Sequence, residues 1–262
     1  MRARITLLLF AILYSFTCLA QTNFEKHFTK KSLRIDFALS GNWDFQAAAI
    51  QQLREEPVWA GPVKNLIDPF GYGGYYINVY DKAGKELIYS RGFNTLFEEW
   101  RSTEQAKTET QSWTNSISIP YPKAPVIIEI TARDKADMQF HLLLKQEIDP
   151  ASIFIDRGKL KENRITKIRY NGDSSGKVDL VFLAEGYTAD EQEKFVADAK
   201  RFTEALFKTP PYDTRREDFN VWAVDAVSEE SGTDVSGKGI FKNTALNSGY
   251  YTFGVDRYLT TP

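Results

Sequence analysis

The sequence predicts an α+β protein in two parts. An antiparallel β-sandwich comes first, and an α/β portion opening with a β-α-β unit follows. Three observations carry this. Apolar residues alternate with period two through much of the first half. After residue 188 the spacing becomes helical, between two apolar runs of strand length. Aromatic residues make up 14% of the chain, which favours pleated structure with large rings inside.

Residues 1–20 read as a secretory signal peptide. Arg2 and Arg4 are a basic start, Ile5 to Leu13 an apolar run, and Cys18-Leu19-Ala20 puts small residues before a cut ahead of Gln21. The run is too short for a stable membrane anchor. The expected location is secreted or periplasmic. A lipoprotein reading would lipidate Cys18, but Phe16 and Thr17 are poor residues before such a cysteine. The expected organisation is signal peptide over 1–20, β-sandwich over 21–157 and the α/β portion over 158–262.

Leu33, Ile35, Phe37 and Leu39 alternate strictly, and Ser40-Gly41-Asn42 closes that strand as a turn. Gly74 to Tyr80, a Gly-containing loop and Glu86 to Ser90 read as a hairpin. Val126 to Ile130 is a short strand. Met138, Phe140, Leu142 and Leu144 are then expected to share one strand face. Thr95-x-x-Glu98 is a capping-box pattern that predicts a short helix with Leu96, Phe97 and Trp100 on one stripe. Gly71-Tyr72-Gly73-Gly74-Tyr75-Tyr76 can be read as sugar-stacking tyrosines, but a glycine-permitted turn entering a strand explains it better.

Val178 to Ala184 reads as a strand covered on both faces. Thr188-Ala189-Asp190-Glu191 is a capping box, and Phe195, Ala199, Phe202 and Leu206 form one helical stripe. Pro210-Pro211 stops that helix. Phe219 to Val227 is the second buried-type strand. The three elements make a parallel β-α-β unit. Such a unit buries its apolar faces poorly alone, so either the sandwich covers them or the chain is part of a longer protein.

Several function classes are disfavoured. Lys plus Arg number 33 against 35 Asp plus Glu, which leaves no basic excess for nucleic acid. After residue 20 no apolar run reaches the roughly 18 residues of a membrane helix. The turn Ala184-Glu185-Gly186-Tyr187-Thr188 lacks both glycine-rich phosphate motifs and sets Glu185 where an anion would sit. The single cysteine falls in the signal peptide. The histidines are His27, in a polar stretch, and His141, read as a solvent-facing strand residue. No histidine follows, so there is no H-E-x-x-H, and a Ser-His-Asp triad within the α/β part is excluded. Glu229, Glu230 and Asp234 could in principle do acid–base work on a sugar, but an acidic loop after a strand is more often solvated. No catalytic, cofactor-binding or metal-ligating residue is therefore assigned.

The order of motifs resembles the bacterial IgA peptidase family, metallopeptidase family sixty-four. The resemblance rests on Leu33-Arg34-Ile35-Asp36, then Val178 to Thr188, Phe195-x-x-Asp198-Ala199-Lys200-Arg201-Phe202, Pro211-Tyr212, Phe219-Asn220-Val221, Ser231-Gly232-Thr233-Asp234, Asn243-Thr244-Ala245-Leu246 and Asp256-Arg257-Tyr258-Leu259. It implies an accessory β-sandwich followed by the opening of a zincin-type domain. It also implies a secreted, zinc-dependent endopeptidase acting on a protein or glycoprotein, with no nucleic-acid partner and no membrane span. The family's metal-binding helix lies downstream of the matched part, so zinc is expected of the full-length parent and this chain is expected to be inactive. The alternative is a secreted glycan- or protein-binding module without catalysis.

Overall fold

The computed structural model describes residues 22–159 and 162–261. The segment read as a signal peptide, with Cys18, lies outside the described residues. The N-terminal part runs α1 (Phe24–His27), β1 (Phe28–Gly41), β2 (Gln46–Glu56), β3 (Tyr75–Asp81), β4 (Leu87–Phe93), α2 (Leu96–Trp100), β5 (Gln111–Pro122), β6 (Val126–Arg133), β7 (Phe140–Ile148) and β8 (Ile155–Asp156). One sheet has the order β5–β1–β2–β8 and the other β4–β3–β6–β7. All pairs are antiparallel except β2 with β8.

The alternation in β1 explains the packing. Leu33, Ile35, Phe37 and Leu39 are fully buried and share one cluster with Ile77 and Val79 of β3 and Ile128 and Ile130 of β6. Half of the expected capping box forms: Thr95 Oγ1 accepts the Glu98 amide at 3.1 Å, while the Glu98 carboxylate lies beside Gly74 instead of returning to the Thr95 amide. That start places Phe97 and Trp100 in the core at one end of the sandwich.

β7 departs from the expected single face. Leu142 pairs with Thr131 and Leu144 with Ile130, so Leu143 is an extra residue. This β-bulge reverses the facing of the strand. Leu143 and Leu144 pack on the core, while Leu142 and Met138 stay exposed. Phe140 lies instead against Tyr76 and the Arg133 guanidinium.

The second part holds β9 (Ile165–Arg169), β10 (Val178–Leu183), α3 (Gln192–Leu206), β11 (Phe219–Val224), β12 (Asp234–Val235) and β13 (Gly249–Tyr250). β10 and β11 are parallel and joined through α3, which is the expected β-α-β unit. β9 adds antiparallel to β11, giving the order β10–β11–β9. Thr188 and Glu191 exchange both capping-box bonds. Phe195 and Ala199 bury against Ala184 and Ala223.

Two expectations fail here. β10 lies at the sheet edge, and Val181 and Leu183 are each 48% exposed, so it is not covered on both faces. Phe202 is also exposed. The buried stripe turns toward Gln192, Thr203 and Phe207, and Phe202 falls at its margin beneath the Arg201 guanidinium.

The parts meet along the first sheet. The Tyr258 hydroxyl donates to the Glu99 carboxylate at 2.7 Å, and Phe253 lies 6.5 Å from Trp113. A cleft of about 750 Å³ runs between Ser116 and Ser118 on one side and Ser174 and Asp179 on the other. A second, of similar size, lies between Glu55 and Ile165.

Candidate functional site

In open α/β sheets, ligands are met at the carboxyl ends of parallel strands. Here those ends are Leu183 of β10 and Val224 of β11. The chain leaves β10 through Ala184, which is fully buried, and Glu185. Glu185 Oε1 accepts from Thr244 Oγ1 at 2.5 Å and the Ser248 amide at 2.9 Å. Its Oε2 accepts the Leu246 amide at 2.8 Å. One carboxylate thus fixes a segment some sixty positions further along. Burial pushes the Glu185 carboxyl up, but these donors outweigh it and hold its pKa below the usual glutamate value.

Gly186 is required next. Its φ is +73°, and a Cβ there would sit 2.1 Å from the Gly232 carbonyl oxygen. That oxygen belongs to the residue whose amide donates to the Gly186 carbonyl at 3.0 Å. The buried Ser228 Oγ accepts two amides, from Gly186 and Ala245, each at 3.0 Å. Ser228 also donates its own amide to the Tyr187 carbonyl at 2.9 Å. The rim is therefore one cross-linked unit of the 184–188, 228–234 and 242–248 segments.

The sequence-flagged carboxylates lie on this rim, but each is held separately. Glu229 accepts from Asn243 Nδ2 at 2.5 Å. Glu230 accepts the Asn243 amide at 2.8 Å and Lys242 Nζ at 3.1 Å, and these donors hold its pKa low. Asp234 accepts the Lys242 amide at 2.6 Å. A glycosidase needs one carboxyl kept protonated beside one ionised. The Glu230 carboxyl is held low rather than raised, and the contacts of all three carboxylates serve loop structure.

Sequence reading missed Glu185 as an anchor, and with it Ser228, Thr244 and Ser248. Their partners are distant in the chain, and no local motif announces them. It also missed Asp225, at the end of β11. Asp225 is buried, takes Arg164 Nε at 2.6 Å on Oδ2, and leaves Oδ1 without a hydrogen-bond partner among the described residues.

Comparison with known families decides what this rim belongs to. The family model described as Peptidase M64 N-terminus matches residues 23–143, and the one described as IgA Peptidase M64 matches residues 166–262. The chain belongs to the M64 IgA peptidase family. No curated protein matches it. Membership makes it an IgA-peptidase-like metallopeptidase chain.

The M64 assignment raises the question of a metal. A hydrolytic zinc takes three side-chain ligands, with histidine prominent. Among the described residues no group of three or more His, Cys, Asp or Glu could hold an ion. His141 lies exposed on β7 with Asp137 Oδ2 at 2.8 Å, as a solvent-facing histidine should. His27 ends α1. The donors present do not fit a zinc centre, so no step of a reaction is derived through one.

Proposed function

We propose that this M64 chain forms the accessory and opening portions of a secreted zinc endopeptidase. Residues 21–157 are the accessory sandwich, and residues 158–262 begin the peptidase domain. Residues outside this sequence supply the histidine pair. The observation that carries the reading is the match of 166–262 to the IgA peptidase domain, on a β-α-β unit whose strand ends are already cross-linked by Glu185. The domain division is supported by β8 at 155–156 joining the first sheet and β9 at 165–169 joining the second.

The substrate class is a protein or glycoprotein. In such peptidases zinc polarises the scissile carbonyl and activates water. In this chain the rim's part is rigidity: Glu185 and Ser228 tie the strand ends to the 242–248 segment. Export is supported by the basic, apolar and small-residue order of 1–20.

Two measurements test the reading. Expressed with its native leader, the chain should leave the cytoplasm with Gln21 as its first residue by terminal sequencing; retention with Met1 intact would contradict export. The open reading frame past codon 262 should encode H-E-x-x-H; a stop codon directly after Pro262 would contradict the division of labour.

A further inference from the structure

One end of the sandwich carries an aromatic pair that the peptidase reading leaves unused. Phe70 and Tyr72 are 69% and 74% exposed. Their ring planes differ by 12° and their centroids are 5.7 Å apart. A phenylalanine ring ordinarily goes inside, and contiguous exposed apolar surface marks a contact site.

The loop that displays the rings is fixed at several points. Asp68 accepts the Phe70 amide at 2.9 Å and the Gly92 amide at 3.1 Å. Arg133 donates to the Gly71 carbonyl at 2.5 Å and the Gly73 carbonyl at 3.2 Å. Asn94 Oδ1 accepts the Gly74 amide at 2.7 Å. A Cβ at Gly92 would lie 2.2 Å from the Tyr72 carbonyl oxygen, so glycine there lets the loop seat on β4. The rings are thus held outward before any ligand arrives, which lowers the ordering cost of binding.

The surroundings select the ligand. The rings stand on a loop outside the strands, and they line neither of the two clefts described above. An extended peptide takes its hydrogen bonds from a sheet edge, and a helix takes a groove. The charges around the loop balance, which favours neither a polyanion nor a polycation: Arg133 bonds the Gly71 and Met138 carbonyls and brings alongside the turn that bears Asp134, Lys135 and Asp137, while Arg91 acts on Asp68. A pyranose suits both features. Its C–H face meets the negative face of an aromatic ring, and its hydroxyls donate to carboxylates and carbonyls. We infer that the Phe70–Tyr72 platform is a binding site for an uncharged glycan, stacking a sugar ring on the aromatic faces. This stands apart from the peptidase reading, because binding needs neither a metal nor any residue outside the chain.

The test is calorimetric titration and saturation-transfer NMR of the whole chain. The probes are cellohexaose, xylohexaose, galactohexaose and N-acetyllactosamine oligomers, with heparin and single-stranded DNA as anionic comparators. At least one neutral oligosaccharide should bind saturably and the anions should not. Phe70→Ala and Tyr72→Ser, made singly, should each weaken that binding about tenfold, while melting stays unchanged because both side chains are exposed. Two variants keep a reading if one of them folds poorly. Failure of every neutral probe at millimolar concentration would overturn the inference. So would wild-type affinity in either folded variant, or preferential binding of the anions.

Discussion

Replacing Glu185 with glutamine tests whether one carboxylate holds the rim together. Glu185 Oε1 serves Thr244 and Ser248, and Oε2 serves Leu246. Glutamine has only one carbonyl oxygen. Its best orientation keeps Thr244 and Ser248 and turns an NH2 group toward the Leu246 amide, setting donor against donor. One charge-assisted bond is lost and two become neutral. A hydrogen bond to a charged group is worth about 1.5–3 kcal/mol and a neutral one about 0.5–1.5 kcal/mol. Water reaches this half-buried group, so the expected cost is about 2–3 kcal/mol rather than the full sum. The effect is local. Hydrogen-exchange mass spectrometry should show residues 244–248 exchanging roughly thirty- to hundredfold faster in Glu185→Gln. Glu229→Gln, which leaves one exposed contact to Asn243 but makes it neutral, should change exchange less than about threefold. A folded Glu185→Gln protein with native protection at 244–248 would refute the anchoring role.

The other predictions concern the same physics elsewhere. Gly186→Ala should cost at least about 2 kcal/mol in urea unfolding, from the left-handed backbone and the clash with the Gly232 carbonyl. Gly239→Ala shares a positive φ of +66° but faces open space, so it should cost measurably less; equal costs would remove the clash argument. Thr95→Ala should lower stability by about 1 kcal/mol through loss of the α2 cap, and no change in the unfolding midpoint would count against that cap. Burial pushes the Tyr75 hydroxyl up to about 12 from 10.0. A raised pKa gives stability that is complete below the unfolded value. About 2–3 kcal/mol should therefore be lost between pH 10 and about 12, and Tyr75→Phe should flatten that slope. Glu185 has the opposite sign. Its pKa is lowered from 4.5, so its contribution is present above that pH and disappears as pH falls through the folded value, first seen as exchange at 244–248.

Local patterns carried most of the fold. The strict alternation of β1, the Gly-containing hairpin of β3 and β4, the Thr95 N-cap, the Thr188 capping box and the β-α-β order are all short-range signals, and all appear in the structure. β2 was illegible because Gln46 to Glu56 is rich in Ala, Gln and Glu, which favour helix. It is a strand because Ala48, Ile50 and Leu53 meet the sandwich core, a tertiary override of propensity. β5 hid behind small polar residues from Thr114 to Ser118. The exposed edge of β10 was misread because an apolar run does not say whether neighbours cover it. The rim was half legible. Glu229, Glu230 and Asp234 stood out as a cluster, but only the fold assigns each its donor at 242–243. Glu185 looked like a residue that repels phosphate, and its anchoring of 244–248 depends on contacts no local motif contains.

The central claim is that metallopeptidase chemistry in this protein needs imidazoles from outside these 262 residues. The direct measurement compares zinc content and chelator-sensitive peptide cleavage in the purified 262-residue chain and in the same chain extended through its reading frame. The extended protein should hold one tightly bound zinc and cleave a protein substrate, and the 262-residue chain should do neither. Chelator-sensitive cleavage by the 262-residue chain alone would contradict the account.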